Sequence, residues 1–198
     1  MKPAVSIFAA ALFGISTLYA MLGSADQETS STTATKIKAR FSLVDHQGRP
    51  VTEQTYRGKW LLMFFGYTSC PDICPTTLYD IALTLKALGD DAERVQALFV
   101  SVDPERDTVD VLARYIPSFG PSIVGLTGEP EKVKQAARAF RVHYEKVASP
   151  GNSGGYSVDH QSYLYLIRPD GEFETVFPHG MTVNRMVKAL RRHIALIK

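Results

Sequence analysis

Two eight-residue runs, Trp60 to Tyr67 (WLLMFFGY) and Val95 to Val102 (VQALFVSV), are apolar at nearly every position instead of every second one. A strand with one wet face alternates, whereas a strand covered on both faces does not. Both runs therefore predict strands in the interior of a sheet. Between them Leu78, Ile81, Ala82, Leu85 and Leu88 recur at three and four residues, which predicts a helix from about Pro75 to Leu88 with one apolar face.

Further helices are expected from Val109 to Ile116, capped by Asp107 or Thr108, and from Glu131 to Phe140, with a short strand at Ile123 to Leu126 between them. Ser162 to Ile167 and Glu172 to Phe177 flank Pro169-Asp170-Gly171, a turn signal that predicts a β-hairpin. Val183, Met186, Val187, Leu190 and Ile194 give the closing helix its core face. This order implies an α/β protein with a mixed central sheet flanked by helices and an added β-hairpin. A thioredoxin-like fold is compatible with it, although periodicity does not separate that fold from other α/β sandwiches.

Ala4 to Gly23 carries no charge and, at about 20 residues, is long enough as a helix to cross a bilayer. Lys2 precedes the run while Asp26 and Glu28 follow it, so the positive-inside tendency places the N-terminus in the cytoplasm and the body outside. The competing reading is a cleaved signal peptide, with Gly23-Ser24-Ala25 as small residues for a peptidase; a retained anchor is favoured because the run exceeds a usual signal core. Residues 24–36, rich in Ser and Thr, read as a flexible linker, and the folded domain is expected to span 37–198. The expected location is a bacterial inner membrane, single-pass, with the domain in the periplasm or equivalent space. The formal charge of +2, without blocks of like charge, gives no reason to expect nucleic acid as a partner.

The chain has only two cysteines, Cys70 and Cys74, in Gly66-Tyr67-Thr68-Ser69-Cys70-Pro71-Asp72-Ile73-Cys74-Pro75. This stretch joins a central strand to a helix, where ligands collect in open α/β sheets. Pro71 and Pro75 disfavour helical geometry at the residues before them, so both thiols are expected in a loop, facing the positive end of the helix. That environment favours thiolate, the form that attacks disulfides and binds metal. Thiolates suit Cu(I) and Zn(II), and an added imidazole can accommodate Cu(II). Of the five histidines, His160 in YSVDH is the candidate third ligand and His179 the reserve, while His46 is expected in a turn, His143 in a strand and His193 on a helix surface. Asp159 is a candidate acceptor to orient the site. By chemistry alone, a redox couple without metal fits the cysteine pair as well as copper does.

FFGYTSCPDICP, SVDPERDT at Ser101 to Thr108, and YSVDH followed by YLIRPDGEF resemble the Sco/SenC proteins, in the same order and across the chain from about residue 40. The resemblance implies a thioredoxin-like fold, an N-terminal membrane anchor, and delivery of copper, as Cu(I) or Cu(II), to the binuclear site of cytochrome c oxidase, or maturation of that site. It carries the copper ligands onto Cys70, Cys74 and His160. Implied partners are the copper-site subunit of the oxidase, a thioredoxin-like reductant to keep exported thiols reduced, and other copper chaperones. The alternative is a thiol-disulfide oxidoreductase that reduces cysteines of a cuproprotein. The three-residue spacing of the cysteines and Asp-His-Gln where thioredoxins place a cis-proline favour metal over general exchange. A peroxiredoxin-type peroxidase is disfavoured because Thr68 lies at the wrong spacing from Cys70. SVDPERDT is expected to act first as a strand end and helix cap, with partner docking as a weaker role.

Overall fold

A computed structural model of the chain describes residue 37, residues 39–148 and residues 155–196. The expected membrane anchor at 1–23 and linker at 24–36 lie outside these residues. No helix among the described residues is long and apolar enough to cross a membrane.

The two apolar runs become β3 (Trp60–Gly66) and β4 (Val95–Ser101), paired in parallel in the middle of a seven-stranded sheet. Every residue of β3 is buried, as a strand with helices over both faces requires. β1 (Ser42–Asp45) and β2 (Pro50–Thr52) form one edge, followed by β5 (Ile123–Thr127), which runs parallel to β4. On the other side β8 (Leu164–Ile167) pairs antiparallel with β3, and β9 (Phe173–Phe177) closes the sheet as the hairpin partner of β8. The sheet order is therefore β2-β1-β5-β4-β3-β8-β9. Its β4-β3-β8-β9 half, with the helix that follows β3, is the thioredoxin-like arrangement.

Among the described residues, four α-helices complete the fold: α1 (Ile73–Leu88), α2 (Val109–Tyr115), α3 (Pro130–Ala139) and α4 (Val183–Leu196). The largest fully buried side chains, Trp60, Phe64, Phe65, Phe99 and Phe140, lie on the central strands and at the end of α3. Each such side chain removed from water is worth about 1.5–3 kcal/mol, so this cluster is the main source of cohesion.

Several details differ from the sequence-based expectations. β1 and β2 have no counterpart there, because strands of four and three residues around a polar turn leave no periodic signal. α1 starts at Ile73, two residues before Pro75, so Cys74 lies in the first helical turn and not in the loop. Proline is harmless there, since first-turn amides lack intrahelical partners. Thr108, not Asp107, caps α2, its hydroxyl accepting from the Val111 amide at 3.4 Å. His143 stands just before β6 (Tyr144–Ala148) instead of within a strand. His193 is buried rather than on a surface. It falls three residues after Leu190 on the apolar stripe of α4 and bonds through Nδ1 to Glu174 Oε1 at 2.8 Å.

The ribbon of β6 and β7 (Tyr156–His160) pairs antiparallel and stands apart from the main sheet. His160 is the last residue of β7, opposite Tyr144.

Candidate metal centre

Immediately after β3 the chain turns at Tyr67 to Cys70, with the Cys70 amide bonded to the Tyr67 carbonyl at 3.3 Å. α1 begins three residues later with a cap position, Asp72, whose side chain makes no capping bond. The Cys70 sulfur takes that place, accepting from the Cys74 amide at 3.4 Å. Cys70 is thus a partly exposed sulfur at the positive end of a helix, and Cys74 is fully buried beneath it.

His160 arrives from the ribbon. Its Nε2 lies 3.5 Å from Cys74 Sγ, and its Nδ1 lies 3.2 Å from the Gln161 carbonyl, so Nε2 is the nitrogen turned toward the sulfurs. The backbone carbonyl of Gln161, and not Asp159, orients the ring. Alternation along β7 puts Asp159 on the opposite face from Val158 and His160, where its side chain is exposed. Phe64 and Tyr67 flank the imidazole edge-on, with ring centroids 6.1 and 5.8 Å away.

Cys70, Cys74 and His160 each offer one ligand atom, and these atoms all lie within 4.8 Å of one another. Two soft sulfurs with one imidazole fit a thiophilic ion such as copper, and the fit needs no large rearrangement. The reserve histidine, His179, lies in the turn after β9 and meets α1 instead of the sulfurs, with Nδ1 3.4 Å from Thr77 Oγ1. His46 sits in the turn after β1 and accepts from the Gly125 amide.

The two thiols are unequal. A hydrogen bond from the Cys74 thiol, working against burial and assisted by His160 and the Asp72 and Cys74 amides, draws the Cys70 thiol down to about 3. The same bond to Cys70, together with burial, pushes the Cys74 thiol up. The pair thus favours a thiolate on the exposed sulfur and a thiol on the buried one. A cleft of about 250 Å³ lined by Cys70, Ile73, Val158 and His160, among others, opens the thiolate and the imidazole to solvent.

Further residues hold these groups in place. Tyr67 meets both cysteines and the ribbon: its hydroxyl faces the Cys70 sulfur and the Val158 amide, and its own amide faces the Cys74 sulfur. Asp107 is buried and reaches back to the cysteine loop, accepting from the Thr68 hydroxyl at 2.6 Å, the Thr68 amide at 2.9 Å and Ser101 Oγ at 2.6 Å. Burial raises its carboxyl above the ordinary range, against the pull of these hydrogen bonds. Asp103 and Arg106 engage Tyr156 at the far end of β7. SVDPERDT is therefore more than a strand end and cap, because it supports both halves of the centre. Only its acidic and basic composition next to a strand end hinted at this.

Comparison with known proteins agrees with this construction. The SCO1/SenC family profile matches residues 29–195. The chain is 43% identical over 158 residues to the mitochondrial SCO2 homolog of Mus musculus, and covers 78% of itself and 61% of that protein. It is 40% identical over 159 residues to the mitochondrial SCO1 homolog of Homo sapiens, covering 78% of itself and 52% of that protein. It thus spans between about half and two thirds of these relatives' length. Among solved structures, the copper-bound Arabidopsis thaliana ScoI superposes with a TM-score of 0.76 at 37% identity, over 81% of this chain and 99% of that one. The copper-bound Bradyrhizobium japonicum ScoI gives 0.72 at 42% identity, over 79% and 98%. With the profile covering most of its length and the fold shared, the chain belongs to the SCO1/SenC family.

Proposed function

We propose that this chain binds copper through Cys70, Cys74 and His160 and works as a metallochaperone that delivers copper to, or matures, the binuclear copper site of cytochrome c oxidase. The observation that carries this reading is the convergence of two sulfurs and one imidazole nitrogen within 4.8 Å of one another. The copper-bound state of similar Sco structures supports it. Cys70 and His160 open to the cleft while Cys74 lies below, so a recipient's ligands can approach copper from one side and displace the exposed donors first. Three donors hold the ion but leave coordination positions for that exchange. In this reading the domain works outside the cytoplasm, anchored by Ala4 to Gly23 in a bacterial inner membrane, and a thioredoxin-like reductant keeps the thiols free. The uncharged run with Lys2 before it and Asp26 after it supports that placement.

Titration of the reduced full chain with Cu(I) and Cu(II) tests the reading. One copper per chain is expected, with a thiolate-to-Cu(II) absorption band that His160→Ala weakens together with Cu(II) affinity. Unchanged Cu(II) affinity in that variant would sink the ligand assignment.

The inequality of the thiols favours a second reading, a thiol-disulfide reductase. Here the Cys70 thiolate attacks a target disulfide and forms a mixed disulfide as one target thiolate leaves. Cys74 then attacks the Cys70 sulfur, closing an internal disulfide and releasing the second target thiolate with transfer of two electrons. A Cys74→Ala variant traps the mixed disulfide if this route operates, and failure to trap any adduct removes it.

A further inference from the structure

The third ligand rides on an element that the main sheet does not hold. β6 and β7 pair only with each other, and four of the five β6 residues are exposed. Of β7, only Val158 is fully buried. Phe64 and Tyr67 flank the imidazole at one end of β7, and a second restraint holds the rest of the strand.

That restraint sits at the opposite end of β7, at Tyr156. The Tyr156 hydroxyl donates to Asp103 Oδ1 at 2.8 Å. Arg106 Nη1 donates to the Tyr156 carbonyl at 3.0 Å, and the guanidinium lies 3.8 Å above the Tyr156 ring. Asp103 is itself fully buried, accepts from Arg106 Nε, and donates its backbone N–H to the Ser101 hydroxyl. Lys146 on β6 adds an ion pair to Glu105 at 2.6 Å and lies over the same ring at 4.7 Å. Ser101, Asp103, Glu105 and Arg106 all belong to the segment leaving β4, a strand in the middle of the sheet. The guanidinium also lies 5.7 Å from the Tyr67 ring, which itself stands edge-on to His160. Tyr156 and His160 are separated by four residues of strand, about 13 Å.

We propose that Arg106, fixed by Asp103, is the positioning residue for His160: by clamping Tyr156 it ties the ribbon to β4 and sets the imidazole against the two thiols. It touches no ligand atom. Its consequence is selective. Cu(I), held by two sulfurs, depends little on the clamp, while Cu(II), which needs the imidazole nitrogen, depends on it strongly. Loosening the clamp would thus lower the hold on one oxidation state and leave the other in place.

The copper part of the test rests on the function proposed above, and a metal-free measurement separates the two. In the full chain, Arg106→Ala and Tyr156→Phe are compared with wild type and His160→Ala. Arg106→Ala is expected to lower Cu(II) affinity by about 10–100-fold, as the loss of an orienting partner does, with Cu(I) affinity held within about threefold. The nitrogen coupling in the Cu(II) paramagnetic resonance spectrum weakens in step. Arg106→Lys does not rescue, because an ammonium cannot bond Asp103 and the Tyr156 carbonyl while stacking on the ring. Arg106→Ala combined with His160→Ala binds no more weakly than His160→Ala alone. Without metal, the β7 amides exchange faster in Arg106→Ala than in wild type while those of β3 and β4 do not change. Should Arg106→Ala prove too unstable, Tyr156→Phe, which deletes one hydroxyl, shows the same pattern to a smaller degree. Equal loss of both copper affinities, additive losses in the double variant, or unchanged β7 exchange would each overturn the proposal. A wild-type chain that binds no copper overturns the function instead, and β7 exchange then decides the clamp alone.

Discussion

Gly66 ends β3 directly under the cysteine pair, and Gly66→Ala gives the site its sharpest steric test. A Cβ built there meets Cys74 Sγ at 2.8 Å, Phe99 Cε2 at 2.9 Å and Phe64 Cε1 at 3.2 Å. Both phenylalanines are fully buried, so neither ring has free space to swing into. Ordinary contact begins near 3.4 Å, so the sulfur or the first turn of α1 must retreat by about 0.6 Å. Overpacking of this kind costs about 1–3 kcal/mol. Removing glycine from a strand returns about 0.5–1 kcal/mol through the unfolded chain. The net expectation is a loss of about 1–2 kcal/mol, or a melting temperature lower by about 2–8 °C for a domain of this size. The effect on metal is larger in proportion, because metal–ligand distances tolerate only about 0.2 Å. Copper affinity falls accordingly, and adding Cys74→Ala to Gly66→Ala recovers stability relative to the sum of the two changes. Thermal melts followed by circular dichroism, with copper titration of the same samples, measure both. A Gly66→Ala chain with wild-type melting and wild-type copper affinity would refute the packing argument.

Asp107→Ala frees the Thr68 amide and hydroxyl and the Ser101 hydroxyl in a buried setting; it costs about 2–4 kcal/mol and weakens copper binding, as chemical denaturation and metal titration will show. Alkylation of Cys70 in the reduced, metal-free chain stays nearly constant as pH falls from 8 toward 5, since its thiol is lowered to about 3, and Cys74→Ala, which leaves only the His160 and amide contributions, makes it fall more steeply with pH. Asp45 is buried. Burial raises its carboxyl, but hydrogen bonds from the Arg49 and Gln47 amides and the Arg49 side chain outweigh that and hold it below its unfolded value of 3.8. Its stabilisation is therefore fully present above that value and is lost as pH falls through the lowered folded value, so Asp45→Asn is less stable at pH 7 and shows a shallower acid limb in pH-dependent melts.

The fold was legible where local pattern and burial coincide. The unbroken apolar runs of β3 and β4 and the spacing of Leu78, Ile81 and Leu85 mark the centre of the sheet and its covering helix, because nothing else satisfies such patterns in water. The turn at Pro169 to Gly171 marked the β8–β9 hairpin for the same reason. β1 and β2 were not legible, since short edge strands depend on neighbours for definition. His193 was misplaced because a polar residue was assumed to face solvent, whereas its position on the α4 stripe and the Glu174 partner allow burial. Of the site, the cysteines declare themselves by closeness in sequence, and His160 was chosen through its motif. The supporting residues carried a weaker signal, since the charges of SVDPERDT mark a strand end but not the partners they reach. Asp107 lies 39 residues from Thr68 and Arg106 lies 50 from Tyr156, and only the folded sheet brings them together.

X-ray absorption at the copper edge of the Cu(II)-loaded full chain tests the three-donor centre most directly. Two sulfur scatterers and one imidazole nitrogen are expected around a single copper, with the nitrogen lost in His160→Ala and one sulfur lost in Cys70→Ala. A wild-type spectrum dominated by oxygen or nitrogen, or one that His160→Ala leaves unchanged, would contradict the assignment of Cys70, Cys74 and His160 as the copper ligands.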